Sequence, residues 1–486
     1  MHCNTLYLLI IIVCSAVLSG SDAVALDHVK ADEIMARIQQ GVPVNYDHVV
    51  VEGYLHLMPA NRSDLNDSDK SDLVAGEQIE NVRLPVRSSI KITNSIMKEN
   101  IDFDYADFQD EASFEGTNFT KGLSLRGSLF RNKAIFRDAE FGDYVNFWLA
   151  EFENDASFEN ALFNGYADFR CAKFDKIAAF LGNQFYRDAK FFKSEFNDIA
   201  YFSMSRFHGD ASFGDAQFRE TANFDYCLFD GYSDFRYANF GGDADFRGAQ
   251  FQGSADFRDS ILDGDSDFQE TKYGTDFDVR GMKFSILKVE WPSIADYVIS
   301  DGPVYLQLIK NFKELEQFGD ANSCYYKYRL FSMDKRSWSD KEKYLDALAW
   351  LTCGFGVRPS FTVLWMMIMI VLFAVLYWVI DVFKEQPYPF ARNFPHNVQK
   401  ATIMDAAIDI FRELPPQPAS NPSQKTRSTT IIDALIFSAA LFFTLPPPLD
   451  YIKSRRFRIL YVLEDITGWL IMALFLVTLL NIIIRF

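Results

Sequence analysis

The chain has 486 residues, room for two to four domains, and 48 of them are Phe. Its formal net charge is −18, and 34 acidic against 19 basic residues between Asn100 and Ser285 place −15 of it in one central segment, which argues against nucleic-acid binding. Six Cys without a CxxC pair and six His without ligand spacing give neither a disulfide framework nor a metal site, and no nucleophile constellation or phosphate loop marks an enzyme.

Near the start, an apolar run (Leu6–Val17), too short for a good span, precedes small residues at Ala23–Ala25. This predicts a secretory signal peptide over residues 1–25, with an uncleaved anchor as the rival reading. Either would export the central segment, and the N-x-S/T triplets at Asn61, Asn66 and Asn118 are consistent with export. Residues 26–99 are expected to begin a repeat. Ala31–Gly41 has helical periodicity and reads as an N-terminal cap. Val49–Leu57, Ile90, Ile92 and Ile96 read as irregular first coils, and the polar stretch 59–77 between them as a mobile loop.

From Phe103 onward a large apolar residue returns at alternating steps of five and six. Two eleven-residue series, starting at Phe103 and Phe108, hold Phe at 30 of 33 positions, with Leu125, Leu262 and Tyr273 at the others, so the period decides the architecture. Two places earlier stands Ala, Ser or Cys in most units, exceptions including Ile101, Val145, Asn183 and Met282. A helix would need spacings of three and four, and would scatter these rings over several faces. A small residue, a polar one and a ring instead alternate as a strand with one buried face does.

Units such as "ADFRC" (Ala167–Cys171), "ADFRG" and "ASFGD" resemble the pentapeptide-repeat family. The resemblance implies a mainly β fold over residues 100–285: a right-handed quadrilateral β-solenoid with four units per coil. Because a coil here takes 22 residues, every second corner must hold one extra residue. The core is expected to hold the ring columns, Phe169, Phe213, Phe224, Phe235, Phe246, Phe251 and Phe257 among them. About eight regular coils at ~4.8 Å each give a rod of about 40 Å. Its acidic exterior would suit a basic protein or a cation as partner, or serve only to keep the rod soluble.

Residues 286–360 are expected to be a helical linker. Pro303–Arg336 reads as a helical hairpin broken at Gly319, and Asp340–Pro359 as an amphipathic juxtamembrane helix with Trp350 near the interface. Two later segments, Thr362–Phe383 and Ile459–Ile484, are apolar enough to span a bilayer. Between them Thr430–Thr444 is apolar but too short, which suits a re-entrant or a surface helix. Asp381, Glu464 and Asp465 are candidate intramembrane carboxylates, or headgroup-level acids, with Arg458 as a nearby partner.

Span, short helix and span is an order that resembles the two-transmembrane potassium-channel pore module, carried here by Asp433–Tyr451 and Leu460–Trp469 with Glu464 and Gly468 four apart. The resemblance covers residues 361–486 and implies a homo-oligomer, a tetramer if the pore analogy holds. Where that family has Thr-Val-Gly-Tyr-Gly-Asp, this chain has Thr444, Leu445, Pro446, Pro447, Pro448, Leu449 and Asp450. Proline fixes φ near −65°, so this run cannot form a carbonyl-lined filter, and ordinary potassium selectivity is not expected. Lys453, Arg455, Arg456 and Arg458 favour a cytoplasmic loop between the spans, which agrees with an exported solenoid and is opposite to ordinary channel orientation.

The expectation is a multi-pass membrane protein with lipid-bound helices, a solenoid for sensing or assembly, and a channel-related module. The alternative is a surface scaffold that is merely anchored; a third reading, a DNA-mimicking solenoid, requires a cytoplasmic location. No catalysis, cofactor, metal or nucleic-acid partner is expected.

Overall fold

Each small-polar-Phe step forms a strand of two residues. A strand that short is stabilised by its neighbours, and here the neighbour is always the same step one coil away. Ala112 pairs with Ala134, Phe119 with Phe141, Leu123 with Val145 and Phe130 with Phe152, all parallel and all 22 residues apart. The computed structural model describes residues 26–57, 83–379, 431–443 and 455–483, in two units that divide after Cys324.

The first unit is a parallel β-solenoid of four faces. Two faces are sheets of 11 strands each, and the other two join into a 19-stranded sheet where Ile261–Asp267 runs straight through a corner. Phe rings fill the interior in stacked columns: Phe169 to Phe191 is 4.9 Å and Phe191 to Phe213 is 4.8 Å between centroids, both with planes 2° apart. Columns on opposite faces meet edge to face, as Phe213 and Phe224 do at 5.2 Å and 86°. Both geometries suit the ring quadrupole.

The alternation of five and six has a structural cause. Within the five-residue step the small residue donates its amide to the Phe carbonyl three back (Ala150 to Phe147, 2.9 Å), with a positive φ between them. That is the signature of a type II turn. Asp138, Asn160, Gly182 and Asp215 occupy the positive-φ position, as do larger residues such as Tyr226 and Tyr237. The six-residue corner is looser, and acids hold it together: Asp188 accepts the Asp210 amide, Asp210 the Tyr232 amide, and Asp243 the Asp265 amide.

Both ends are covered. Ala31–Gln39 (α1) buries Ala31, Ile34 and Ile38 over the first coil. Val44, Val50 and Leu55 pair with Ile90, Ile96 and Ile101, 46 residues on, so an insertion of 24 residues interrupts that coil. The expected loop 59–77 falls within this insertion and outside the described residues, as does the expected signal peptide. At the far end, Trp291–Ile294 (α2) and Gly302–Glu314 (α3) close the rod. The Asn311 side chain pairs with both the amide and the carbonyl of Leu287, like one more strand residue, at 3.0 and 2.8 Å.

The hairpin break does not lie at Gly319. Helix α3 stops at Glu314, Glu316 takes φ 59°, and Phe318–Lys335 (α4) runs through Gly319. The left-handed residue and the bond from the Gln317 amide to the Phe312 carbonyl end α3, which Gly319 is not needed to do.

The second unit is all α. It contains the end of α4, then Lys341–Cys353 (α5), Pro359–Val379 (α6), Ile431–Phe443 (α7) and Arg455–Ile483 (α8). Trp350, exposed on α5, donates its indole N–H to the Tyr326 hydroxyl of α4 at 2.9 Å.

Candidate functional site

The predicted core rings are where the period puts them: Phe169, Phe213, Phe224, Phe235, Phe246, Phe251 and Phe257 are all buried in the solenoid. They stack on one another and fill the interior. Some small polar residues in the columns find partners inside it, Ser205 Oγ in the Phe180 carbonyl at 2.6 Å and Cys227 Sγ in the Phe202 carbonyl at 2.9 Å, whereas Ser233 Oγ and Ser266 Oγ are buried without one. Burial pushes the Cys227 thiol up, so it is an inert packing residue.

Outside, Asp and Arg flank a Phe and so share the outer face. Arg236 pairs with Asp234, Arg258 with Asp256 and Arg280 with Asp278, at 2.6–2.8 Å. Each of the first two also approaches the next coil's Asp, at 3.8 and 3.6 Å. Burial by itself would raise Asp256, but bonds from Arg258 and Tyr232 outweigh it and the carboxyl lies below its ordinary value. Much of the acidic exterior is therefore engaged in these ladders and corner bonds. Among the described residues no group of His, Cys, Asp and Glu could hold a metal ion.

The polar cluster of interest lies in the second unit. Helices α6 and α8 run antiparallel: Tyr377, near the end of α6, packs with Tyr461 near the start of α8, whereas Met366 and Ile370 pack with Ile471, Met472 and Phe475. Helix α7 packs against both. Its Ser438 hydroxyl reaches the Ile370 carbonyl at 2.9 Å, about 15 Å from either end of α6 at 1.5 Å per residue. A helix that met the others only at their ends could not do this.

Glu464 joins all three helices. One carboxyl oxygen accepts from Tyr377 of α6 at 2.6 Å and the other lies 2.5 Å from the Ser438 hydroxyl of α7. The side chain is fully buried, and Gly468, one turn on, faces Phe442. Asp465 is half-buried. Asp381 and the run Thr444, Leu445, Pro446, Pro447, Pro448 and Asp450 lie outside the described residues. Tyr377 and Ser438 were not singled out from the sequence; each is a lone hydroxyl in an otherwise apolar run, which is the signal that could have found them.

Around this cluster the surface is apolar. Leu364, Met367, Val371 and Leu372 of α6, with Leu463, Ile466, Leu470 and Val477 of α8, point outward and exposed. Pro359–Val379 and Ile459–Leu480 are the two described helices long and apolar enough to cross a membrane. Polar groups inside and an apolar exterior are what a bilayer demands.

Residues 114–161, 191–239 and 224–272 match the family model described as pentapeptide repeats (9 copies). The solenoid is thus built of pentapeptide repeats, and the matched segments all lie within it. Neither the curated proteins nor the solved structures gave a match.

Proposed function

We propose that the chain is a channel-related membrane protein in which a pentapeptide-repeat solenoid serves as the sensing or assembly domain of a two-span module. The observation that carries this reading is α7, a short apolar helix bonded at the mid-height of α6 and tied to α8 through Glu464. A short helix held between two antiparallel spans is the element a pore module uses to bring a loop into the membrane. The three prolines after Thr444 argue for a pathway without potassium selectivity. The solenoid is the exported part, supported by the apolar Leu6–Val17 stretch and by the basic residues Lys453 to Arg458 before the second span. Its work is binding and assembly, not catalysis.

The test is electrical. The purified full chain in planar bilayers is expected to pass small, poorly selective currents, and Ser438→Leu is expected to abolish them while leaving the solenoid folded by circular dichroism. Silent bilayers containing correctly assembled protein would overturn the channel reading in favour of an anchored scaffold.

A further inference from the structure

Helix α5 is amphipathic in the reverse sense to a helix of a soluble protein. Two of its charges point inward: Asp346 receives Arg329 and Arg336, each at 2.5 Å, and the Lys343 ammonium donates to the Arg336 carbonyl at 2.7 Å, while Glu342 lies exposed in the first turn and pairs with Arg336 at 3.1 Å. Its apolar residues point outward. Tyr344, Leu345, Leu348 and Leu351 recur at helical spacing and are 59%, 67%, 57% and 50% exposed. Lys341 lies exposed at the start of the same stripe.

A stripe of this kind needs a cover, and its surroundings say which. Leu348, Leu351 and Thr352 line one continuous apolar surface with Trp365 of α6 and Ile471 and Leu474 of α8. The Trp365 indole donates to the Leu351 carbonyl at 2.8 Å, which fixes the level of α5 beside α6. Trp365 stands six residues inside the start of α6, and Leu474 six residues inside the end of the Ile459–Leu480 segment, each about 9 Å along its axis. That is the depth, about 5–10 Å, at which interfacial helices bury their apolar faces.

We infer that α5 lies in the bilayer interface, with Tyr344, Leu345, Leu348 and Leu351 among the upper acyl chains, on the side of the membrane where α6 begins. The inference rests on α6 and α8 being membrane spans. It goes further in giving the second unit a lipid-reading element. Movement of α5 in the interface is passed to α6 through Leu351 and Trp365, and to α4 through the Asp346 ion pairs. Lys341, at the end of the stripe, is placed to extend toward headgroup phosphates.

The experiment uses the full chain in vesicles of phosphatidylcholine and phosphatidylglycerol, carrying an environment-sensitive fluorophore at Leu345→Cys, with Leu372→Cys of α6 as the span control. Signal from native cysteines is subtracted using the parent chain labelled in the same way. The position-345 probe is expected to lose its fluorescence to lipid spin-labelled near the headgroup and to be insensitive to aqueous iodide. The position-372 probe is expected to respond to lipid labelled near the chain ends. Iodide quenching at 345 with lipid quenching retained at 372 would overturn the interfacial helix alone. Loss of lipid quenching at both would overturn the membrane reading itself. Copy-to-copy crosslinking through position 345 without lipid quenching would show that a second chain covers the stripe, and would also overturn the inference.

Discussion

A single ring in the solenoid is held by a stack above and below it and by an edge contact across the core. Phe213 has partners at 4.8 and 5.1 Å in its own column and at 5.2 Å in the facing ones. Phe213→Ala is expected to cost about 3–5 kcal/mol, read as a lowered denaturation midpoint, and Phe213→Leu distinctly less. Glycine matters where coils touch. A Cβ on Gly231 would stand 2.6 Å from the Gly209 carbonyl oxygen, whereas one on Gly319 would meet nothing within 4 Å. Gly231→Ala should therefore reduce hydrogen-exchange protection of adjoining coils, and Gly319→Ala should leave protection unchanged. Asp47 shows the effect of acid. Bonds from Asn94, Thr93 and His48 hold its carboxyl down at about 2, against an ordinary value of 3.8. A depressed acid stabilises the fold above its unfolded pKa, and that contribution disappears as pH falls toward the folded one. Between pH ~4 and ~2 the first coils are thus expected to loosen before the Phe-stacked middle, as hydrogen exchange resolved by segment would show.

Elements end where unpaired backbone is covered, and this is where sequence and structure diverged. The Phe period was enough to read strand and buried face, and with the four-unit coil that the pentapeptide-repeat resemblance implies it also set the coil length and the extra corner residue. The caps were harder to read. Nothing about Asn311 in a helical run says that its amide will complete the last strand, since the pairing depends on the third dimension. Asn311→Leu is expected to leave the Leu287 amide and carbonyl without partners, at about 1–3 kcal/mol, and to open Lys283–Lys288 to exchange. The same limit applied to Glu464. Its position near a span's start fitted a headgroup acid equally well, and only the approach of Tyr377 and Ser438 from two other helices shows it buried. Glu464→Leu should remove the acceptor that Tyr377 and Ser438 share, leaving Ser438 only its Ile370 carbonyl, and lower the melting temperature in detergent more than Glu464→Gln, which keeps an acceptor between them.

At the scale of the whole molecule the two units divide the work. The solenoid is built by repetition, and part of its acidic exterior is engaged in Asp–Arg ladders and corner amides while a net −15 stays unneutralised. The helical unit carries the buried carboxyl and the apolar exterior. On the proposed function, antiparallel α6 and α8 cross one bilayer in opposite directions, with the start of α6 and the end of α8 on the same side. Sidedness tests this most directly. In intact cells, Glu220→Cys in the solenoid is expected to react with a membrane-impermeant maleimide above the level of the parent chain, and Ser420→Cys only after permeabilisation. Labelling of both from the same side would contradict a two-span membrane unit, and the reverse pattern would contradict an exported solenoid.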